Sequence, residues 1–268
     1  MSNQTVLWEI DGRGVATVRF NRPEVNNAYN GDMLDGLRAA FEVFADRSAV
    51  RVVVLRGNGR HFQAGADLRW LTEVRGGDES ANVAGSRRTA EAVRDLTLFP
   101  KPVLALVHGA CHGGGVGVIA ACDVAIASED AVFSIPEVRW GLAADIIVPQ
   151  LNAAIGARQV RRFAMTCERF GAATAKAIGL VHDVCPVGQL DAAATPVIEG
   201  LLHASPEALA QTKRTILEEA GLRFEPARFD FLVRAHAAKR MSAEAGEGLA
   251  SFAERREPAW YPGPPARE

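Results

Sequence analysis

The sequence has little of what marks disulfide-stapled, metal-bound or strongly charged proteins. Its 268 residues include only four cysteines, and these show neither CxxC nor CxxxC spacing, so no zinc centre or disulfide framework is indicated. The 30 basic and 32 acidic residues leave a net charge of −2, which argues against a general nucleic-acid-binding protein. We expect the four cysteines to be reduced core residues: Cys111, Cys122, Cys167 and Cys185.

Long apolar segments are also missing. The longest apolar run, residues 116–127, is interrupted by Asp123 and is shorter than the about 20 residues that a helix needs to cross a bilayer. Residues 1–10 have neither the basic start nor the apolar stretch of a signal peptide. Apolar residues still make up 48% of the chain, enough for a sizeable core. We therefore expect a soluble, cytoplasmic protein that does not act on membranes.

One stretch, residues 101–137, is the most informative part of the chain. A buried strand is predicted at 103–107, followed by three consecutive glycines at 113–115, an apolar helix and a second strand at 123–127. Glycine is costly before a helix, because it loses the most backbone freedom on folding. The first-turn amides of a helix have no intrahelical partner and carry partial positive charge. The pattern therefore predicts a site where an oxygen atom gains negative charge during a reaction.

A nucleotide or metal site at the same place is disfavoured. Residues 115–120 fit the GxGxxA pattern, but in dinucleotide-binding folds the first glycine directly follows the strand, and here residues 108–112 intervene. His61 and His112 are predicted near these glycines, yet no third residue completes a metal site or a nucleophilic triad. They are interpreted as pocket-wall or surface residues, and no cofactor or metal is expected.

Strands alternate with helices up to about residue 135, and the pattern is almost entirely helical afterwards. This predicts an α/β core over residues 1–200 and a helical region over residues 201–268. Particular predictions are a hairpin of residues 6–10 and 15–20, a helix capped by Asn30 or Gly31, a mobile polar loop over 75–86 and one long helix over about 226–256.

Six short motifs follow one another in a defined order. They are Asn21-Arg22-Pro23 with Asn27-Ala28, Phe62 to Leu68, His108-Gly109 with Gly113-Gly114-Gly115, Cys122 to Ala127, Pro136-Glu137 with Gly141, and Ala177 to Val181. Each motif alone is weak evidence. Together, and spread over nearly the whole chain, they resemble the crotonase (enoyl-CoA hydratase/isomerase) family.

The resemblance implies a fold, a substrate class and an assembly. The fold is α/β, a crotonase-like spiral of ββα units with a helical C-terminal region, which here would serve trimerisation. Family members bind acyl-CoA thioesters and assemble as homotrimers or dimers of trimers, and coenzyme A is part of the substrate rather than a cofactor. The matching oxyanion hole would be formed by the backbone amides of Ala66 and Gly114.

Glu137 matches the family's catalytic glutamate. A carboxyl group held in an apolar pocket has a raised pKa and can shuttle a proton. The alternative interpretation is a helix-capping or solvated loop residue. The sequence departs from the family pattern at Gly117, where two-glutamate hydratases carry their second glutamate. In this it resembles single-glutamate hydratases of branched, glutaconyl-type substrates.

Asp145 has two possible roles. The segment Gly141 to Asp145 resembles the part of dienoyl-CoA isomerases that supplies a second acid or base, whereas the following residues 146–149 resemble the glutaconyl-type hydratases. Aspartate is also a common helix N-cap, so Asp145 is also a candidate cap for the next helix, and the two roles are compatible.

The resemblance also implies substrate contacts in the two oxyanion segments. The predicted substrate-binding residues are Ala64, Asp67, Leu68, Arg69 and Gly117. Arg69 stands where relatives often place a basic residue near the phosphates of coenzyme A, although a solvated helix arginine is the alternative. Asp67 is interpreted as holding its loop rather than taking part in chemistry.

The expected function is addition of water to a 2-enoyl-CoA thioester, with a branched glutaconyl-type acyl group as one candidate. The alternatives are an enoyl- or dienoyl-CoA isomerase using Glu137 and Asp145, and an acyl-CoA-binding subunit without turnover.

Overall fold

The computed structural model describes residues 5–263; residues 1–4 and 264–268, at the outer ends of the two predicted regions, lie outside the described part. The strands are β1 (Val6–Ile10), β2 (Val15–Phe20), β3 (Val52–Gly57), β4 (Val103–Val107), β5 (Ala110–His112), β6 (Val124–Ser128), β7 (Val132–Ser134), β8 (Phe170–Gly171) and β9 (Asp183–Cys185). The α-helices are α1 (Gly31–Asp46), α2 (Leu68–Arg75), α3 (Glu79–Leu98), α4 (Gly114–Ala121), α5 (Val148–Thr166), α6 (Ala172–Ala177), α7 (Leu190–His203), α8 (Pro206–Glu219), α9 (Pro226–Met241) and α10 (Ala243–Glu254).

The strands form two sheets. The larger sheet has the order β1-β2-β3-β4-β6-β9, in which the β1–β2 hairpin is antiparallel and the other neighbours are parallel. The smaller sheet, β5-β7-β8, pairs β5 and β7 in parallel. The predicted α/β class and the predicted hairpin are confirmed.

The central strands are buried on both faces, as their unbroken apolar sequences predict. Alternate residues belong to two separate cores because side chains of a strand point to opposite faces. In β4, Val103, Ala105 and Val107 pack with helices α1, α3, α4 and α5, whereas Leu104 and Leu106 pack with α7. Neither face of the sheet is left to solvent at its centre.

The chain segments that leave the carboxyl ends of β3 and β4 lie side by side. Isolated bridges pair Gln63 with Cys111 and Tyr29 with Ala66. His112 N donates to the Gln63 carbonyl at 3.0 Å and Tyr29 N to the Gly65 carbonyl at 2.8 Å. Three stretches distant in sequence are thereby fixed at one edge of the sheet.

The predicted mobile loop over residues 75–86 is wrong, because α3 begins at Glu79. Asp78 caps this helix, its side chain accepting from Ala81 N at 2.8 Å. The polar residues that suggested a loop are buried instead: Asn82 and Ser86 accept hydrogen bonds from Arg240 of α9. Their polarity serves a buried arginine, not solvent.

The predicted single helix over 226–256 is also wrong. It is interrupted at Ser242, where α9 ends and α10 begins, and the Ser242 side chain accepts from Ala245 N at 3.2 Å as an N-cap. Helix α9 packs against α3, and its Phe229 and Val233 join the main core. Within residues 5–263, no helix combines the length and apolar character needed to span a membrane.

Candidate active site

A cavity of about 430 Å³ opens at the edge of the sheet where these segments meet. Its lining comes largely from residues within 25–29, 64–71, 112–114 and 134–147, with additional side chains from α3 and α9. The two predicted oxyanion residues, Ala66 and Gly114, both line it.

The glycine turn places backbone amides at the cavity. Gly113 has φ +53° and immediately precedes α4, so Gly114 N is the first amide of that helix. Gly113 N donates to the Ser134 carbonyl at 2.9 Å. Across residues 5–263, the amides of Ala66 and Gly114 have no acceptor. The structure therefore brings two free N–H donors from distant segments to one cavity.

The two oxyanion segments are in direct contact. A Cβ atom built on Gly65, whose φ is +86°, would lie 2.9 Å from the His112 carbonyl oxygen. No other residue type allows this approach without displacement of the backbone. Glycine is needed at this position to keep the two segments close.

Glu137 reaches the cavity from a 3₁₀ turn, Glu137–Trp140, which follows β7. Its Oε1 would lie 2.9 Å from a Cβ atom built on Gly113, so the carboxylate sits over the glycine turn. Its Oε2 is shielded from solvent and has no hydrogen-bond partner in the described chain, although the residue as a whole is partly accessible. Burial raises the pKa of this carboxyl from 4.5 to about 7.

Asp145 does not line the cavity, although its neighbours Ala144 and Ile146 do. The capping alternative is wrong, because α5 begins at Val148 after Ile147 and has no side-chain cap. Burial raises the pKa of the Asp145 carboxyl above its usual range. Its position is thus close to the site without direct contact with the cavity.

Gly117 lies behind the cavity wall. A Cβ atom at this position would lie 2.3 Å from Ile147 Cγ2, and Ile147 lines the cavity while Gly117 does not. This departs from the predicted contact between Gly117 and substrate. Ile147 fills the space that a longer side chain at position 117 would require.

The other predicted substrate-binding residues all line the cavity: Ala64, Asp67, Leu68 and Arg69. The Asp67 carboxylate is occupied by its own loop, since Oδ1 accepts from Arg69 N at 3.0 Å and Oδ2 from Arg22 Nη2 at 2.9 Å. Arg69 is exposed, and two further exposed arginines, Arg139 and Arg169, line the cavity with it.

Of the two histidines, only His112 lines the cavity. Its Nδ1 lies 3.0 Å from Ser134 Oγ, and burial together with the charge of Arg169 lowers its pKa. His61 Nδ1 accepts from Ala110 N at 2.9 Å and so fixes the loop outside the cavity.

Tyr29 is a site residue that the sequence did not reveal. Its ring packs on the glycine turn: a Cβ atom on Gly114 would lie 2.6 Å from Tyr29 Cε1 and 3.1 Å from its hydroxyl oxygen. Burial and the charge of Glu137 raise the pKa of its hydroxyl. The phenol is therefore neutral beside the glutamate, and no motif marks it in the sequence.

Arg240 and His236 of α9 also line the cavity and were missed. Ser86 Oγ contacts both, accepting from Arg240 Nη2 at 2.9 Å and lying 2.8 Å from His236 Nδ1. Burial and the charge of Arg240 lower the pKa of His236 to about 3, so its ring is neutral. Their spacing of four residues, which puts both on one helix face, is the signal that sequence inspection could have used.

Comparisons with known proteins identify the family. The family model for enoyl-CoA hydratase/isomerase matches residues 11–262. A Delta(3,5)-Delta(2,4)-dienoyl-CoA isomerase of Arabidopsis thaliana is 32% identical over 250 residues, which cover 89% of this chain and 90% of that protein. A mevalonyl-coenzyme A hydratase of Aspergillus fumigatus is 31% identical over 256 residues, covering 92% of each.

A solved structure gives the same result for the fold. The crystal structure of an enoyl-CoA hydratase from Mycobacterium avium superposes with a TM-score of 0.83 at 31% identity, covering 96% of this chain and 98% of that one. Relatives named for two different reactions therefore match this chain over most of its length. From the family match over nearly its full length, this chain belongs to the enoyl-CoA hydratase/isomerase (crotonase) family.

Proposed function

We propose that this protein adds water across the Cα–Cβ double bond of a 2-enoyl-CoA thioester. The observation that carries the proposal is the Glu137 carboxylate, which is shielded and unpartnered at Oε2 and lies over the glycine turn that supplies a free amide. A carboxyl group in that setting is available to a ligand rather than engaged with the protein.

The substrate carbonyl is the group that the two amides recognise. The thioester oxygen accepts from Ala66 N and Gly114 N, and as water attacks Cβ the electrons of the Cα–Cβ double bond move onto this oxygen to form an enolate. Donors fixed before the reaction stabilise that charge without reorganising, and loss of one such donor typically costs roughly 2.7–4 kcal/mol of barrier.

Glu137 handles the proton in both halves of the addition. Its carboxylate takes a proton from water while the water oxygen bonds to Cβ, and the carboxylic acid then gives a proton to Cα of the enolate. The products are a 3-hydroxyacyl thioester and the regenerated carboxylate. With its pKa raised to about 7, Glu137 is available in both forms near neutral pH. Since position 117 is glycine, one carboxyl group serves both steps.

The second candidate is a dienoyl-CoA isomerase, favoured by Asp145. This carboxyl is partly buried, has a raised pKa and does not cap α5, so no structural role accounts for it. In that reaction Glu137 and Asp145 would move a proton along the acyl chain and no water would add. Hydration remains the better supported because Asp145 does not line the cavity.

One set of assays separates these functions. The protein is incubated with 2-enoyl-, 3-enoyl- and 3,5-dienoyl-CoA in heavy-oxygen water, and products are analysed by mass spectrometry. Hydration predicts one labelled oxygen in a 3-hydroxyacyl product from the 2-enoyl substrate. A product with a shifted double bond and no label would contradict hydration and support isomerisation. Tight binding of the thioesters with neither product would indicate a non-catalytic acyl-CoA-binding subunit.

An Asp145→Asn variant tests the second candidate. Because Asp145 caps no helix, we expect a melting temperature within a few degrees of the wild-type value. Hydration should fall by less than about tenfold, since the side chain is outside the cavity lining. A loss approaching the 10²–10⁴-fold typical of a general acid or base would make Asp145 a second catalytic group and favour isomerisation.

A further inference from the structure

We propose that Arg240 binds a carboxylate at the far end of the acyl chain, so that the site selects thioesters of dicarboxylic acids. This proposal rests on the proposed function in one respect, namely that the ligand is an acyl-CoA thioester. It concerns which acyl group the cavity accepts, not how the double bond reacts.

Arg240 is a buried cation without an anion. Only 1% of its surface is exposed, and it lines the cavity from α9. Its Nε donates to Asn82 Oδ1 at 3.1 Å, and its Nη2 donates to the Asn82 carbonyl at 2.5 Å and to Ser86 Oγ at 2.9 Å. These acceptors are neutral, and Nη1 has no acceptor within residues 5–263.

Such a group is unusual in a folded protein. A buried charge is ordinarily paired, since desolvation of an isolated ion costs several kcal/mol. No aspartate or glutamate in the described chain pairs with Arg240. Tyr29 is the one nearby group that would stabilise the guanidinium charge, and it would do so only if its hydroxyl were ionised. The missing partner is therefore expected to come from a ligand in the cavity.

The position of Arg240 indicates which part of the ligand supplies that partner. Glu137 lies against Gly113 at the start of α4, and Tyr29 packs on the adjacent Gly114. Arg240 is instead held by Asn82 and Ser86 of α3, so it lines the cavity at the wall that α3 and α9 form and not at the glycine turn. The reacting carbons are placed at Glu137, so the group that reaches Arg240 belongs to the distal part of the acyl chain.

The chemistry of the site favours a carboxylate. A guanidinium has planar donors that match carboxylate geometry, and Asn82 and Ser86 already hold it in one orientation. The coenzyme A phosphates have other cations available, since Arg69, Arg139 and Arg169 line the cavity with exposed side chains. The neutral ring of His236 introduces no competing charge.

The test measures the binding of saturated thioesters, which lack the reacting double bond. Saturated thioesters are compared by calorimetry in pairs of equal chain length: succinyl- with butyryl-CoA, glutaryl- with pentanoyl-CoA and adipyl- with hexanoyl-CoA. Because a buried charge pair is worth about 30-fold or more in affinity, at least one dicarboxylic thioester should bind the wild-type protein that much more tightly than its neutral counterpart. Equal binding in every pair would overturn the proposal.

In the variant Arg240→Gln, the ratio of the two affinities within each pair should fall to about threefold or less. Arg75→Gln is the matched control, since Arg75 contacts the Ser242 carbonyl between α2 and α10 and does not line the cavity. It should keep the wild-type preference. A preference retained in Arg240→Gln would contradict the assignment, and the comparison of thioesters on the wild-type protein stands even where that variant does not fold.

The two proposals can fail separately. If the protein prefers dicarboxylic thioesters but incorporates no heavy oxygen, the result would support carboxylate binding by Arg240 and reject hydration. Labelled 3-hydroxyacyl product from 2-pentenoyl-CoA with no advantage for glutaconyl-CoA would support hydration and reject the role of Arg240.

Discussion

Glu137, the proposed proton-transfer residue, has a buried carboxyl group whose ionisation should affect both activity and stability. Its pKa is raised to about 7 because water is excluded from Oε2 and no donor replaces it. This arrangement favours the protonated form in the folded state. Family position pointed to Glu137 from the sequence, but the shielding depends on the glycine turn, β7 and Tyr29 meeting in space, which no local pattern encodes.

The raised pKa of Glu137 predicts a pH-dependent stability difference between the wild type and Glu137→Gln. The folded state holds its proton up to about pH 7, whereas the unfolded chain releases it near 4.5. The stabilising contribution is therefore fully present below pH 4.5 and is lost as the pH rises to about 7. Between pH 5 and pH 8, the free energy of unfolding of Glu137→Gln should therefore rise by roughly 1–3 kcal/mol relative to that of the wild type.

Urea unfolding of both proteins at a fixed protein concentration measures this difference. If the wild type instead became more stable than Glu137→Gln as the pH rises, the pKa of Glu137 would be lowered, and the carboxylate would have a salt-bridge or hydrogen-bond partner.

Arg240 and Tyr29 show why the sequence revealed only part of the site. The oxyanion segments and Glu137 lie in contiguous motifs and could be predicted. Arg240 meets its partner Asn82 across 158 positions of sequence, and a single arginine on a helix resembles any solvated one. What identifies it is its burial and its unpartnered Nη1, and both are properties of the packed molecule.

At the level of elements, helices with local signals were predicted well. α1 begins at the predicted place, because the Asn30 side chain accepts from Met33 N as an N-cap. The start of α3 was missed because Asn82 and Ser86 look like loop residues. Their role depends on α9, which the local sequence does not show.

The contact between α4 and the turn before α5 predicts the effect of alanine at position 117. A Cβ atom there would lie 2.3 Å from Ile147 Cγ2 inside the core, so Gly117→Ala should destabilise the protein by roughly 1–2 kcal/mol despite the better helix propensity of alanine. Gly200→Ala in α7 is the control, since nothing lies within 4 Å of its added methyl group, and it should stabilise by about 0.5–1 kcal/mol.

A double-mutant cycle makes the cause specific. With Ile147→Ala present, most of the obstructing side chain is gone, and adding Gly117→Ala should cost at least about 1 kcal/mol less than it does in the wild type. The free energies of unfolding of the wild type, the two single variants and the double variant give the coupling energy between positions 117 and 147. Strictly additive effects would mean that Ile147 is not what excludes a side chain at position 117.

At the level of the whole molecule, the family and its spiral of ββα units followed from six ordered motifs, because family-wide motifs are what a sequence displays most directly. The assembly is a separate matter. The C-terminal helices expose apolar side chains, among them Phe231 at 59% and Phe252 at 49% exposure. Where such side chains form a contiguous patch, they mark a surface that contacts another protein chain.

The family resemblance implies a homotrimer or a dimer of trimers, and we propose that these exposed apolar side chains lie at its subunit contacts. The chain mass of 28.7 kDa predicts a particle of about 86 or 172 kDa, three or six times that value. Light scattering coupled to size-exclusion chromatography measures it directly. A particle of one chain mass at micromolar concentration would contradict the expected assembly and would leave Phe231 and Phe252 as surface features of a monomer.

The role of Glu137 as general base is tested by the pH dependence of kcat/KM for hydration, because this quantity reports the ionisation of the free enzyme. If the shielded Glu137 carboxylate is the general base, activity should rise with pH through an inflection near 7 and then level off. In Glu137→Gln the rate should be roughly 10²–10⁴-fold lower and the inflection absent. An inflection near 4.5 in the wild type, or one near 7 that survives in Glu137→Gln, would contradict the assignment.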